Sequence, residues 1–368
     1  MTQPESAGAP APDAVPKPGE SANRDTVHAP DTVPGAGESP SPADVPRVTI
    51  AVITWNGARF IDRCLDALAS QRATDNRGRQ IEPEIWVIDN ASTDNTTALA
   101  AAHPLQPRLV CLDTNRGFAG AADFAIRHAQ TPFVVVLNQD TAVAPGWLAA
   151  LMRPFAEPGG ERIAATTSKV VFADSGLLNN TGVLIGPDGY GRDRGFGEPD
   201  DGRYDTDRDV PAFSGTAAAI RVSAARAVGS FDPDFFLYYE DTELSWRLRR
   251  AGWAIRYVPE AVVRHEHAAS TDTRSPMFAF YNERNRLWML ITCAPLWRAG
   301  WEFLRFLAIT LLLPLRRLIG MSVPATPNFS VRLRLRVAAG VLTALPALLR
   351  KRRRIRALHP PGVPFTWS

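Results

Sequence analysis

"FVVVLNQDT", residues 133–141, decides how the chain is read. Five apolar residues followed at once by Asn138, Gln139 and Asp140 predict a buried strand. Its C-terminal end would deliver a carboxylate into a crevice, where open α/β sheets bind their ligands. An Asx turn is the ordinary alternative, since Asn and Asp are common turn residues. The stretch alone supports either.

The sequence before it repeats the pattern. "RVTIAVITWNG" (residues 47–57) is a β-rich run that breaks at Asn56-Gly57, and a helical pattern through Phe60, Cys64, Leu65 and Leu68 follows. "EIWVIDN" (84–90) ends on Asp89 and Asn90 and runs into Ser, Thr and Asp residues suited to a helix start. "RLVCLD" (108–113) leads to "TNRGFAGAADFAIRHA" (114–129), where Gly117 and Gly120 permit close backbone approach before an Ala-rich helix. Such alternation predicts parallel βαβ units, with Thr54, Asp89, Asp113 and Asp140 converging on one crevice.

Further along, a helix is expected around Gly146–Phe155 and a strand near Ile163–Phe172. The polar, Gly-rich residues 179–209 are expected to form a long loop beside the site. "VPAFSGTAAAIRV" (210–222) suggests a small-residue strand. In "GSFDPDFFLYYEDTELSWRLRRAG" (229–252), Leu244 and Leu248 share a helix face, Glu240 and Asp241 open it, and Gly252 suits the C′ position. Two short β-rich pieces, "WAIRYV" and "AVVRHEH", come next.

Composition bounds the function. With 45% hydrophobic and 21% charged residues, the chain is neither fibrous nor wholly disordered. Cys64, Cys111 and Cys293 are widely separated, which suggests reduced thiols used for packing. Residues 1–46, rich in Pro, Ala, Gly and Ser, predict a disordered extension without a signal peptide. From Phe303 to Ser368 there are twelve Lys and Arg and no Asp or Glu. The chain's net +3, less those twelve positive charges, leaves −9 on residues 1–302. A basic tail on an acidic body points to an anionic surface. Residues 296–356 combine apolar faces with clustered Arg, as in helices that lie on anionic lipid. The apolar core of "WEFLRFLAITLLLPLRRLIG" is too short for a spanning helix. Aromatic residues do not interleave with the Arg cluster, which argues against nucleic acid. The chain has no GxxxxGK[ST] and no GxGxxG after its first strand, which removes the main support for P-loop and dinucleotide functions.

Asp140 beside Asn138 offers hard oxygen donors suited to Mg²⁺ or Mn²⁺. Asp241 could cap its helix or serve as a general base towards an acceptor hydroxyl. His265 and His267 alternate along a strand and should face opposite ways, so that one of them can point into the site.

Taken together, "VITWNG", "VIDNASTD", "NRGFAGAAD", "LNQDT", "SGTAAAIR", "FFLYYEDTELSWRLRRAGW" and "VVRHEHAAS" resemble glycosyltransferase family two, in its bacterial rhamnosyltransferase-like branch. The resemblance covers about residues 47–290. It implies a GT-A-type α/β nucleotide-sugar-binding fold with a mostly parallel central sheet, and the charge and apolar pattern beyond it predicts basic, membrane-associating helices over 291–368. It also implies a divalent metal and inversion at the anomeric carbon. By the resemblance, Thr54, Asn56, Asp89, Asn90, Asn115, Gly117, Gly120 and Asn138 bind the donor nucleotide, and Asp140 and His265 hold the metal. Asp241 matches the catalytic base, and Glu240 and Trp246 are acceptor-side candidates. Asp123 stands where the family often has Asn. QxxRW, the signature of processive synthases, is absent. The expected enzyme is a peripheral protein on the cytoplasmic face of a bacterial plasma membrane. It would move L-rhamnose from dTDP-L-rhamnose to a lipid-linked or polysaccharide acceptor. A galactofuranosyl- or other hexosyltransferase is the alternative, and a sugar-phosphate nucleotidyltransferase a more distant one.

Overall fold

The chain divides into two units, Met1–Asp44 and Val45–Ser368. A computed structural model describes residues 47–71, 73–74, 80–81, 83–266 and 275–358, all in the second unit. The expected extension over residues 1–46 and the second histidine, His267, lie outside the described residues.

The first part is the predicted βαβ alternation. Strand β1 (Val48–Thr54) leads to helix α1 (Ile61–Ala69) and a two-stranded ribbon of β2 (Ala73–Thr74) and β3 (Gln80–Ile81). Then come β4 (Pro83–Asp89), α2 (Thr96–Ala102), β5 (Arg108–Cys111), α3 (Gly117–His128) and β6 (Phe133–Asn138). Strands β5, β4, β1 and β6 lie side by side and parallel, with Thr54 opposite Asp89 and Ile53 opposite Asn138. Alternate residues of β1 and β6 enter two cores. Ala51, Ile53, Val134 and Val136 pack towards α3, while Ile50, Val52, Val135 and Leu137 pack towards α1 and the later α4. Burial on both faces explains the near-continuous apolar run of the opening stretch.

Beyond β6 the sheet becomes mixed. A turn at Gln139–Asp140 leads to β7 (Thr141–Val143), followed by α4 (Trp147–Ala156) and β8 (Ile163–Phe172). The segment expected to be a long loop contains β9 (Leu178–Asn180) and a hairpin of β10 (Val183–Ile185) and β11 (Gly191–Asp193). Its Gly and Asp content masked three strands too short to show a period. Next are β12 (Ala217–Arg221), α5 (Val222–Ala227), α6 (Glu240–Arg250) and β13 (Ala254–His265). The two β-rich pieces expected near the end are therefore one strand, with its register shifted by a bulge between Val258 and Val262. The full order is β5-β4-β1-β6-β12-β8-β13-β7, with β9 beside β8. Parallel pairing holds from β5 to β6 and between β8 and β13, whereas β12, β7 and β9 run against their neighbours.

The last three helices are α7 (Pro276–Cys293), α8 (Leu296–Leu318) and α9 (Val331–Ala357). Helix α7 runs across residue 290, and α9 packs along it, with Leu333, Val337, Val341 and Leu348 buried. Helix α8 buries Ala299, Glu302, Phe306, Thr310 and Leu313, at the spacing of one helical face. Its other face leaves Trp297 and Leu311 each 73% exposed and Leu318 84% exposed, with Trp301, Leu304, Leu312 and Leu315 between them. No described helix is long and apolar enough to cross a membrane.

Candidate active site

The strand ends form the first wall of the crevice. At the end of β1, the Thr54 hydroxyl donates to Asp89 Oδ1 at 3.3 Å, and the Thr54 carbonyl accepts from the Asn90 N–H. Asp89 also accepts the Ser92 N–H, and Asn56 Oδ1 accepts the Thr93 N–H. These residues therefore shape the loop after β4 as well as its surface. Asn90 bridges to the next loop, accepting from the Arg116 N–H and donating to the Gly117 carbonyl. Asn115 Oδ1 accepts the Gly117 N–H at 2.8 Å. Asp113 lies beyond this network and is exposed. Cys111, expected to be a packing residue, is likewise exposed, whereas burial pushes the Cys64 thiol up to about 12.

Gly117 cannot carry a side chain. Its φ is +68°, and a Cβ would fall 2.1 Å from the Phe236 carbonyl oxygen, which accepts the Ala119 N–H at 3.1 Å. At this point the loop before α3 meets the loop before α6. Gly120 lies inside α3, where a Cβ would meet the Arg116 side chain.

Asp140 comes next. Gln139 clamps the ends of β1 and β6 together, accepting from the Trp55 N–H at 3.0 Å and donating to the Trp55 carbonyl at 3.1 Å. Asn138 is held through its backbone, N–H to the Thr216 carbonyl. The turn that follows brings β7 against β13, with Thr141 opposite His265. That pairing places His265 Nε2 3.3 Å from Asp140 Oδ1, across 125 residues of sequence. Both side chains are almost fully buried. His265 Nδ1 lies 3.0 Å from Asn179 Oδ1 on β9. With the proton on Nδ1, the ring donates to Asn179 and turns Nε2 towards Asp140, the usual way a metal-binding histidine is oriented. No three described His, Cys, Asp or Glu side chains cluster as a closed metal site. One carboxylate and one imidazole nonetheless fit Mg²⁺ or Mn²⁺, ions that take few protein ligands when phosphate oxygens complete the shell.

Asp241 forms the opposite wall. Tyr239, not Asp241, occupies the N-cap of α6, so the aspartate sits in the first turn, where the helix dipole favours a carboxylate. Its Oδ2 accepts the Gly215 N–H at 2.8 Å, and its Oδ1 accepts the Thr242 N–H at 2.5 Å. Burial raises its proton affinity above the usual carboxylate range, against the pull of those hydrogen bonds. Part of its surface stays open. The backbone leading to it is strained, with positive φ at Phe236, Tyr238 and Tyr239. Asn285, fully buried on α7, holds that backbone by donating to the carbonyls of Phe235, Leu237 and Tyr238 at 2.7–2.9 Å. Arg284 donates to the Asp234 and Phe235 carbonyls.

The two acceptor-side candidates are both buried. Glu240 is 6% exposed, its Oε2 lacks a hydrogen bond among the described residues, and burial followed by the Asp241 charge holds it protonated well above the usual range. Trp246 is 3% exposed within α6.

Asp193, at the end of β11, joins the two walls. Asn180 donates to its Oδ1. Although much of the residue is exposed, desolvation of the carboxyl and the Asp241 charge push it up to about 6, opposed by Asn180 and His265. Gln139, Asn179, Asp193 and Asn285 belong to the site but carry little signal in the sequence. Gln139 stood inside the quoted stretch and Asn179 opened the Gly-rich segment, but a polar residue inside an apolar helix gave no hint of what Asn285 does.

The mixed α/β sheet is of the GT-A type, with a carboxylate and a histidine at one strand end and a second carboxylate at a helix start. GalNAc-T7, solved with UDP, GalNAc and Mn²⁺, has this fold: TM-score 0.52, 15% identity, covering 68% of this chain and 48% of that one. Residues 49–229 match the model of glycosyl transferase family 2. It is similar to the succinoglycan biosynthesis protein ExoO of Rhizobium meliloti, with 34% identity over 140 residues, 38% of each chain. It is also similar to the N-acetylglucosaminyl-diphospho-decaprenol L-rhamnosyltransferase of Mycobacterium tuberculosis, with 28% identity over 252 residues, 60% of this chain and 76% of that protein. The chain thus spans well under half of the length of the first relative and about three quarters of the second.

Proposed function

We propose that the chain transfers a hexosyl group from a nucleotide-sugar to a lipid-linked or polysaccharide acceptor in cell-envelope glycan synthesis, with inversion. The observation that carries this is that Asp193 lies within reach of the charges of both Asp241, fixed by the Gly215 N–H, and His265, paired with Asp140. Thr54, Asn56, Asp89, Asn90, Asn115, Gly117, Gly120 and Asn138 would hold the nucleotide. Asp140 and His265 would hold Mg²⁺ or Mn²⁺, which when bound supplies Lewis-acid stabilisation of the departing diphosphate. Gly215 and Thr242 orient Asp241 to take the proton from the acceptor hydroxyl as that oxygen attacks the anomeric carbon. Its raised proton affinity suits a base better than an ordinary surface carboxylate would. L-rhamnose from dTDP-L-rhamnose is the proposed donor, supported by the branch resemblance and by the name of the mycobacterial relative.

The exposed apolar face of α8, with the basic residues of α8 and α9, would rest on the cytoplasmic face of the plasma membrane. Because α9 packs along α7, removing the tail would disturb the Asn285 brace, so substitution is the cleaner test. Incubation with dTDP-L-rhamnose, Mn²⁺ and a GlcNAc-diphospho-polyprenol acceptor should yield a rhamnosylated lipid. Trp297→Glu with Trp301→Glu should release the protein from anionic vesicles. Transfer from another hexosyl donor alone would overturn the rhamnosyl assignment, and undiminished vesicle binding would overturn the anchor.

A further inference from the structure

A cavity of about 190 Å³ lies between α7, α8 and the start of α9, outside the catalytic crevice. A water needs only ~10–15 Å³ of such space, so a group of several atoms fits. Three guanidinium groups line it, those of Arg286, Arg305 and Arg334. Arg286 is paired with Glu283 and Glu302, and Arg305 shares Glu302. Arg334 is only 5% exposed, and its hydrogen bonds go to neutral oxygens: the Thr310 hydroxyl and the carbonyls of Asn328 and Phe306. Burial lowers its proton affinity, outweighing the nearby Glu283 charge, and no carboxylate among the described residues forms an ion pair with it. Three positive groups against two carboxylates leave one positive charge in excess. A guanidinium carries five N–H donors, and the recorded bonds use three on Arg334 and fewer on Arg305, which keeps 43% of its side chain exposed at the rim.

The cavity adjoins both proposed surfaces. On the outer side, Arg305 and Ile309 stand one turn apart on α8, beside the exposed Trp301 and Leu312. On the inner side the wall is Tyr190, whose hydroxyl donates to Glu283 and whose ring lies 4.2 Å from the Arg286 guanidinium. The next residue, Gly191, donates its N–H to Tyr239 Oη at 3.1 Å, and β11 then carries Asp193 to the crevice.

We infer that this cavity binds a phosphate group carried by the acceptor, with Arg305 and Arg334 as the donors that receive it. Arg is suited to this because its planar fork matches phosphate geometry. An acceptor held here by its phosphate would present its sugar along the β10–β11 hairpin towards Asp241. The inference rests on the proposed transferase function, but its test does not require turnover.

The full-length protein is titrated with inorganic diphosphate by calorimetry, in EDTA so that the Asp140 crevice does not compete through a metal. It is also mixed with phosphatidylcholine vesicles that do or do not contain a polyprenyl diphosphate. Loss of one charge-assisted contact should weaken diphosphate binding about tenfold in Arg305→Gln. Asn328→Asp, which adds a negative charge at the exposed rim, should do the same. Arg316→Gln removes an equal charge from α8 away from the cavity and should leave diphosphate binding unchanged. A greater loss for Arg305→Gln than for Arg316→Gln on diphosphate-lipid vesicles identifies the lipid as the source. A difference confined to the soluble titration identifies free phosphate. If Arg305→Gln and Asn328→Asp match Arg316→Gln in both arms, the site does not exist, whether or not the protein transfers sugar or binds membranes.

Discussion

The two walls of the crevice are built by different means. The wall at Thr54, Asp89 and Asp140 is made of strand ends, so parallel register alone brings its residues together. The wall at Asp241 is a helix start reached through three residues of left-handed backbone, held in place by a helix more than forty residues further on. Register is set by burial of whole strands and tolerates local change. A strained loop persists only while its braces do. On this account, the first wall resists single substitutions outside its ligands, and the second is sensitive to residues that touch no substrate.

The largest expected effect comes from breaking the brace. Asn285→Ala leaves three carbonyls without their donor and should cost about 3 kcal/mol in urea unfolding. The same variant should lower kcat while leaving metal-dependent donor affinity close to wild type, because the strand-end wall is untouched. An equal fall in donor affinity would erase the distinction between the walls. A smaller effect is expected on the first wall from Asn179→Ala, which frees the His265 ring. Metal-dependent donor affinity should fall about 10–100-fold, as seen when a partner of a metal ligand is removed, with stability little changed. Titration of donor in the presence of Mn²⁺ measures this.

The smallest concerns Glu240. Its folded-state proton affinity is raised above the ordinary value of 4.5, so the folded protein binds that proton more tightly than the unfolded chain. The stabilisation is fully present below 4.5 and is lost as pH rises through the raised folded value. Glu240→Gln should therefore lose less stability than wild type between acid and neutral pH. Parallel melting curves across that range check it, and identical slopes would show that Glu240 is ionised in the fold.

The same contrast explains what could be read from the residues alone. Strands β1, β4 and β6 announce themselves because they are largely buried on both faces and run out at Thr54, at Asp89 and at the turn that carries Asp140. Helix α6 follows from Leu244, Leu248 and Gly252. The Asp140–His265 contact was nameable only through a family pattern, since it depends on β7 pairing with β13, and three residues of strand carry no period. The hairpin bearing Asp193 was hidden by its glycines. Asn285 was hidden because hydrogen bonds to a distant loop leave no local signature in a helix. The basic C-terminal region gave its charge and its apolar faces plainly, but not that α9 is part of the packing behind the active site.

The central claim is that donor binding and proton removal reside on separate walls. Asp241→Asn tests it most directly, with Mn²⁺-dependent donor binding and sugar transfer measured on the same preparation. Binding should remain within a few-fold of wild type while transfer falls by about 10²–10⁴, the usual contribution of a positioned base. Loss of donor binding together with transfer, or transfer retained at the wild-type rate, would contradict it.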